Sequence, residues 1–290
     1  MKIFLDSAIL SEIKLAASRE IIDGVTTNPS LIKKAAESFA DSVDDSSMES
    51  YIKQILATVG RMCPVSLEVA GLTAGEMIEQ GKILYEKFDP VASNVVIKIP
   101  VCTINTSGEG DPFEGITAIS ELSDEKIPIN ATLVFTPEQA LLAAKAGAEY
   151  VSPFAGRIDD RIRRRAGISF EKSDYFPMNG IVDDTTHEAV TDNGLVSGIE
   201  LVARIVDMFS QYEIETEVIA ASIRNPIQVR ECAAVGADIA TIPNSVLADM
   251  IMHEGTRAGI DAFTGDLVDE YIDLFKPEET GEEPSGPQYV

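Results

Sequence analysis

The sequence is poor in the residues that build most metal, redox and nucleic-acid sites. Its 290 residues include no Trp, 2 His and 3 Cys, and 23 basic residues stand against 48 acidic ones. The formal net charge of −25 disfavours nucleic acid and anionic membranes, because both interactions depend on Lys and Arg meeting phosphate. Neither is expected as a partner. An adaptation to high salt is one hypothesis for the acidic excess.

The few cysteines and histidines are also badly spaced for a metal or redox site. Cys63, Cys102 and Cys232 are far apart and odd in number, which argues against a disulfide framework and against a CxxC site. His187 and His253 show no HExxH spacing, so neither a histidine-based zinc site nor a Ser-His-Asp triad is predicted. We expect no metal and no cofactor, and a reducing cytoplasm as the location.

Long apolar segments are missing as well. The start, MKIFLDSAIL, reaches Asp6 too early for a secretion signal. No segment approaches the ~20 uninterrupted apolar residues that span a bilayer. Hydrophobic residues nevertheless make up 45% of the chain, enough for a large core, and the length is near the roughly 250 residues of one α/β barrel.

Eight short runs rich in β-branched residues recur along the chain, with helical patterns between most of them. They lie at 2–7, 24–28, 65–69, 95–101, 129–135, 150–156, 217–222 and 239–244. Buried strands alternating with amphipathic helices predict a parallel sheet covered by helices. Eight repeats predict closure of that sheet into a (β/α)8 TIM barrel, an α/β fold.

Helix starts are marked by a capping residue followed by proline, a residue suited to the first helical turn. The pairs are Asn28-Pro29, Thr136-Pro137 and Asn225-Pro226. Thr136 with Gln139 also fits a capping box, in which each side chain bonds the other residue's backbone N–H.

Three segments depart from this rhythm, two of them within a predicted single barrel domain over 1–275 and one after it. Residues 102–115 lengthen the connection after the fourth strand. Residues 158–193 form a predicted insertion between the sixth strand and its helix, and its arginine run at 161–165 is expected to pair with nearby acids. Residues 276–290 are acidic and rich in Gly and Pro, which predicts a mobile tail.

The active site of such a barrel lies at the carboxyl ends of its strands. Polar residues within or just after the apolar strands are therefore the candidates: Asp6, Asn28, Glu68, Lys98, Asn130, Thr132, Ser152, Arg157, Ser222 and Arg224. Lys98 in VVIKIPV is the most informative, because burial penalises an ammonium and favours the neutral, nucleophilic amine. The alternative is an outward lysine that snorkels between helices.

The charged candidates each have a functional and a purely structural interpretation. Asp6 and Glu68 could transfer protons for chemistry at Lys98, or could be solvated strand ends. Arg157 and Arg224 follow the sixth and seventh strands, where guanidinium groups bind phosphate in bidentate fashion. The alternative is a surface ion pair, for example Arg157 with Asp159.

Five segments together resemble the transaldolase family, in particular its small archaeal and bacterial branch. They are DGVTTNPSLI, VVIKIP, INATLVFTPEQA, AGAEYVSPFAGRIDD and AASIRNPIQ. The resemblance covers about residues 1–157 and 194–262. It implies a class I aldolase-type barrel of the pentose phosphate pathway, in which Lys98 forms a Schiff base with fructose 6-phosphate or sedoheptulose 7-phosphate. A dihydroxyacetone unit then stays on the lysine for transfer to an aldose phosphate.

The resemblance also implies roles for single residues. Asp6 would take the proton from the C4 hydroxyl during cleavage, while Glu68 and Thr132 would hold the water that carries protons. Asn28 and Asn130 would position the bound three-carbon unit. The phosphate-contact positions of the family are matched by Ser152, Arg157 and Arg224, with Ser222 beside them.

Two alternatives remain at this point. Fructose 6-phosphate aldolases, close relatives that release dihydroxyacetone, carry Tyr where this chain has Phe154 and Gln where it has Glu68. The missing hydroxyl at Phe154 favours transfer over release. The second alternative is a barrel that binds sugar phosphates without catalysis. The resemblance further implies a homo-oligomer, a pentamer or decamer, whereas the insertion at 158–193 is foreign to the compact family pattern.

Overall fold

The computed structural model describes residues 1–39, 47–104 and 107–277. Its strands are β1 Lys2–Asp6, β2 Gly24–Thr26, β3 Val65–Glu68, β4 Val95–Pro100, β5 Ile129–Val134, β6 Tyr150–Pro153, β7 Glu217–Ala220 and β8 Ile239–Ile242. They form a closed barrel in sequence order, and every neighbouring pair is parallel. The predicted (β/α)8 TIM barrel is therefore confirmed.

Helices connect the strands and cover the barrel. They are α1 Leu10–Ser18, α2 Pro29–Phe39, α3 Met48–Val59, α4 Ala74–Ala92, α5 Glu114–Asp124, α6 Pro137–Lys145, α7 Ala155–Arg165, α8 Gly198–Gln211, α9 Pro226–Ala234, α10 Asn244–Asp249, α11 Glu254–Gly265 and α12 Asp269–Asp273. Among the described residues, none of these helices combines the length and the hydropathy needed to cross a bilayer.

The three predicted helix starts are present. The Asn28 side chain accepts a hydrogen bond from the backbone of Leu31 at the start of α2. Thr136 and Gln139 form the expected capping box at the start of α6, and Asn225 caps α9. Each cap satisfies a backbone N–H that has no partner within its helix, so local sequence defines where these helices begin.

One end of the barrel interior is filled with apolar side chains. Phe4, Val96, Tyr150, Ile219 and Ile239 form a separate buried cluster from five different strands. Side chains alternate between the two faces of a strand. The residue two positions after Val96 therefore also faces the interior, one layer closer to the carboxyl ends of the strands.

The predicted insertion at 158–193 needs corrected boundaries. Its first residues belong to α7, which begins directly after β6, and the non-helical segment runs from 166 to 197. Ile158 and Ile162 explain the difference, because their i, i+4 spacing gives α7 an apolar stripe that is buried in the core. The arginine run thus lies on a helix, and Arg161 and Arg165 both pair with Asp192, as the prediction of nearby acids implied.

The structure divides into two compact units, Met1–Met250 and Ile251–Val290. The first contains the whole barrel and the second contains α11 and α12. The boundary at Met250 falls inside the range 1–275 that was predicted as one domain. Residues 278–290 of the predicted tail lie outside the described residues, as do 105 and 106 in the predicted loop at 102–115, which ends where α5 begins at Glu114.

A buried carboxylate joins α7 to the two helices that follow it. Asp159 accepts hydrogen bonds from the backbone of Gly198 and from Nε2 of Gln228, both at 2.7 Å. A Cβ atom at Gly198 would lie 2.0 Å from the carbonyl oxygen of Ala155, so only glycine permits this approach. Burial raises the pKa of Asp159 to about 7, although its hydrogen bonds and Arg163 oppose that rise.

This raised pKa predicts a pH-dependent stability. Between the ordinary carboxyl value of 3.8 and about 7, the native protein holds a proton that the unfolded chain has released. The contribution of Asp159 to the free energy of unfolding is therefore fully present below pH 3.8 and is lost as the pH rises to about 7. Relative to Asp159→Asn, the free energy of unfolding of the wild type should fall by about 1 kcal/mol per pH unit in this window.

Urea unfolding at a series of pH values from 4 to 8 measures this difference. The control is Asp207→Asn, which removes an exposed carboxylate from α8 and should leave the pH dependence of the wild type unchanged. Parallel pH profiles for the wild type and Asp159→Asn would contradict the expectation.

Candidate active site

Lys98 points into the barrel. It follows Val96 of the interior apolar cluster by two positions, and only 5% of its surface is exposed. Its ammonium lies 3.1 Å from Oε2 of Glu68 and donates a hydrogen bond to the carbonyl oxygen of Thr27, also at 3.1 Å. The alternative of an outward, snorkelling lysine is therefore wrong, because the charge is balanced inside the barrel.

The strand register brings the partners of Lys98 to the same level. Glu68 on β3 and Asn130 on β5 are its direct neighbours in the sheet. Asn130 donates a hydrogen bond to Oγ of Ser66 at 3.2 Å and accepts one from Oγ of Ser152 at 2.7 Å. Four consecutive strands, β3 to β6, thus contribute polar side chains to the barrel interior around Lys98.

Thr132 lies two residues beyond Asn130 at an irregularity of β5. The register of β5 with β6 shifts between Ala131 and Val134, and Leu133 adopts a left-handed backbone with φ 57°. Bulges of this kind re-aim side chains and are common next to active sites. The buried hydroxyl of Thr132 has no hydrogen-bond partner among the described residues.

Asp6 provides a second carboxyl group near the lysine. Its Oδ1 accepts a hydrogen bond from Oγ1 of Thr26 at 2.9 Å, and Thr26 is itself hydrogen-bonded to Thr241. Burial raises the pKa of Asp6, while the charge of Lys98 and the hydrogen bond from Thr26 act against the rise. A carboxyl group with a raised pKa is suited to general acid-base chemistry.

These side chains surround a cavity of about 350 Å³ at the carboxyl ends of the strands. The predicted residues that line it are Asp6, Asn28, Lys98, Ser152, Phe154, Arg157, Ser222 and Arg224. Asn130 and Thr132 are buried behind this wall, and Glu68 lines a smaller adjoining cavity of about 230 Å³ that Asn28 also borders. In the described part of the chain, no cluster of His, Cys, Asp and Glu could hold a metal ion.

Two guanidinium groups stand on one side of the cavity. The Arg157 guanidinium lies 4.9 Å from the ring centroid of Phe154, and Nη2 of Arg224 is 3.1 Å from Oδ2 of Asp160. A Cβ atom at Gly156 would meet the carbonyl oxygen of Ser222 at 2.1 Å, so glycine allows the start of α7, which carries Arg157, to touch the loop that carries Arg224. The proposed surface pair of Arg157 with Asp159 does not form, since Asp159 binds α8 and α9 instead.

Five further polar lining residues were not predicted. Thr26 and Thr241 lie within strands, where polar side chains in apolar runs were a usable signal, and Ser245 lies at the start of α10. Lys172 and Ser173 come from the segment 166–197 and carried no such signal. Their place at the cavity depends on contacts with residues far away in the chain.

Comparison with known proteins agrees with this geometry. A family model described as "Transaldolase/Fructose-6-phosphate aldolase" matches residues 3–279. A probable transaldolase of Aquifex aeolicus (strain VF5) is 41% identical over 266 residues, which is 92% of this chain and 96% of that protein. A probable transaldolase of Chlorobaculum parvum is 42% identical over 92% of this chain and 97% of its own length. A probable transaldolase of Methanococcus vannielii is 41% identical over 92% of this chain and 97% of its own length.

A match over nearly the whole chain, to both the family model and relatives at about two-fifths identity, agrees with the motif resemblance and with the barrel that carries Lys98. The chain belongs to the transaldolase/fructose-6-phosphate aldolase family.

Proposed function

We propose that this protein is a transaldolase that transfers a dihydroxyacetone unit from sedoheptulose 7-phosphate or fructose 6-phosphate to an aldose phosphate. The observation that carries the proposal is Lys98, buried beside Glu68 at a cavity whose other side presents Arg157 and Arg224. An amine held in a largely dry site can form an imine with a ketone. Two guanidinium groups suit a sugar phosphate.

Imine formation begins when the neutral amine of Lys98 attacks the ketone carbonyl. Glu68, 3.1 Å from the amine, accepts and returns the protons while the carbinolamine loses water. Thr132 supports this step, because its buried hydroxyl has no protein partner among the described residues and can bind the water that relays protons. The product is a protonated imine on Lys98.

Carbon-carbon cleavage then uses the imine as an electron sink. Asp6 removes the proton of the C4 hydroxyl, the C3–C4 bond breaks, and its electron pair moves into the imine to give an enamine. The first aldose phosphate leaves. The enamine carbon next attacks the aldehyde of the acceptor, Asp6 returns its proton, and hydrolysis frees the new ketose. The raised pKa of Asp6 suits both directions of this transfer.

The remaining site residues orient the sugar. Asn28 borders the cavity next to Lys98, and Asn130 lies directly beside the lysine in the sheet. Both would bind hydroxyl groups of the three-carbon unit. Ser152 and Ser222 line the cavity together with the two arginines. The Ser222 hydroxyl group can donate to a phosphate oxygen, whereas the Ser152 hydroxyl group donates to Asn130 and would have to turn towards the phosphate.

The main alternative is a fructose 6-phosphate aldolase that releases dihydroxyacetone without an acceptor. The Phe154 ring packs at 5.8 Å from Phe135 and under the Arg157 guanidinium, so no hydroxyl group is present at this point of the cavity wall. Transfer is favoured over release, because release needs a proton delivered to the enamine carbon and Phe154 has no hydroxyl group to help deliver it. A barrel that binds sugar phosphates without catalysis is the second alternative.

We further propose a cytoplasmic location, a role in the pentose phosphate pathway and assembly into a homo-oligomer, a pentamer or decamer. These points rest on the family resemblance. For the oligomer there is one supporting observation, the exposed apolar side chains Ile260, Phe263 and Tyr271 in the second compact unit. Surfaces of this kind are typical of protein interfaces.

The first prediction concerns Lys98. Lys98→Met should lower turnover of fructose 6-phosphate with erythrose 4-phosphate by about a thousandfold or more, because it removes the buried amine that forms the imine. Borohydride reduction in the presence of fructose 6-phosphate should add a three-carbon unit to Lys98 in the wild type, located by peptide mass spectrometry. The exposed residue Lys14 supplies the control, since Lys14→Met should react as the wild type does.

The same assay separates the alternatives. Beyond one equivalent per active site, glyceraldehyde 3-phosphate should form only when erythrose 4-phosphate is present, together with sedoheptulose 7-phosphate. Formation of glyceraldehyde 3-phosphate and free dihydroxyacetone without acceptor would establish the aldolase. Absence of both product and trapped imine would leave the non-catalytic barrel.

The second prediction concerns Phe154. Phe154→Tyr should raise acceptor-free cleavage of fructose 6-phosphate about tenfold, because the new hydroxyl group can help a water protonate the enamine, an effect of general acid catalysis. Phe135→Tyr is the matched control, since it adds a hydroxyl group to the packed partner ring, which does not line the cavity. No gain in Phe154→Tyr, or an equal gain in both variants, would count against this explanation.

A further inference from the structure

The segment 166–197 forms part of the wall of the active-site cavity. Lys172 and Ser173 line it together with Arg157 and Arg224. This segment belongs to the insertion that interrupts the strand-helix rhythm, so these two residues are additions to the barrel's own strand ends. Their chemistry, an ammonium and a hydroxyl group, is that of an anion site.

Two contacts just after Lys172 keep this part of the segment at the cavity. Nδ2 of Asn225, the residue after Arg224, donates a hydrogen bond to the carbonyl oxygen of Ser173 at 3.3 Å. The Tyr175 hydroxyl donates to Oε1 of Glu231 on α9 at 2.6 Å. The position of Lys172 is thus tied to the loop and helix that carry Arg224.

A buried anchor holds the same stretch against α7. The Arg163 guanidinium lies between the rings of Phe170 and Phe176, at 4.9 Å and 5.0 Å from their centroids. It also donates a hydrogen bond to the carbonyl oxygen of Asp174 at 2.7 Å. Phe176 is buried in the main core, so the residues flanking Lys172 are packed rather than loosely attached.

The charges at this place are not balanced by the protein. Neither Lys172 nor Arg157 forms a salt bridge within the described residues. Acidic residues outnumber basic ones by 48 to 23, so a cation without a carboxylate partner is unexpected in this chain. Of the acids next to Lys172, Asp174 is engaged, because its Oδ2 accepts a hydrogen bond from the backbone of Glu171. Two unpaired cations beside one cavity favour an anionic ligand there.

We propose that Lys172 binds the phosphate group of the sugar substrates, as a third cation beside Arg157 and Arg224. The segment 166–197 thereby increases the preference of the enzyme for phosphorylated over unphosphorylated sugars. This inference rests on the proposed function, since it assigns a further binding residue to the same site. Lys172 takes no part in imine chemistry, so its removal should weaken phosphate binding and leave the reaction steps intact.

The test compares Lys172→Gln with Lys14→Gln, which removes an exposed lysine from α1. Isothermal titration of the full-length protein with inorganic phosphate measures the site without any turnover. Lys172→Gln should raise the Kd by about three- to tenfold, the range expected for a partly exposed charge-assisted contact, and Lys14→Gln should not change it. Lys172→Arg should keep most of the affinity.

Kinetics with two acceptors provide the second readout. With glyceraldehyde 3-phosphate, Lys172→Gln should raise KM by a similar factor at an unchanged kcat. With unphosphorylated glyceraldehyde, its KM should equal that of the wild type. Equal phosphate affinity in wild type and Lys172→Gln, or an equal loss with both acceptors, would overturn the inference.

Failure of the inference can be told apart from failure of the proposed function. If the wild type binds no phosphate yet still gives a borohydride-trapped imine on Lys98, the role of Lys172 is refuted while the transaldolase proposal stands. If the trapped imine is missing as well, both are refuted.

Discussion

An ammonium buried inside the barrel at Lys98 has to be compensated, and most of the active site follows from that requirement. The charged form would be strongly disfavoured in an apolar interior. Here the Glu68 carboxylate and the carbonyl oxygen of Thr27 lie 3.1 Å from the amine. The parallel register of β3, β4 and β5 sets this arrangement, because it places Glu68 and Asn130 directly beside Lys98. Glu68 thus both stabilises the lysine and is the group proposed to exchange protons with it.

A second set of buried charges supports the anion side of the cavity. Asp160 holds Arg224 at 3.1 Å, and the neighbouring Asp159 joins α7 to the N-terminus of α8 and to Gln228 on α9. Gln228 in turn accepts a hydrogen bond from the backbone of Arg224 at 2.8 Å. A strongly acidic chain therefore uses its interior carboxylates to orient one arginine, while Arg157 beside the cavity has no carboxylate partner among the described residues. Positive charge is concentrated where a phosphorylated sugar would bind.

Much of this organisation could be predicted because it depends on residue patterns within short segments of the sequence. Buried parallel strands appear in a sequence as short apolar runs. A lysine inside such a run, as in VVIKIPV, predicts where along the barrel axis the active site lies. Capping residues followed by proline marked three helix starts. The motif resemblance then supplied residue roles that no spacing could provide. Those roles for Glu68, Asn130 and Thr132 stay predictions, although the structure places two of them next to Lys98 in the sheet.

The sequence by itself determined the eight strands, the lysine within the fourth of them and the candidate residues at the strand ends, since each depends on periodicity or caps within a few residues. Tertiary structure alone decided where α7 ends and that Lys172 reaches the cavity. The contacts responsible join residues far apart in the chain, such as Tyr175 with Glu231, 56 positions away. Whether a polar loop packs over a cavity depends on such distant partners. The loop's own residues have no periodic pattern from which its position in the fold could be predicted.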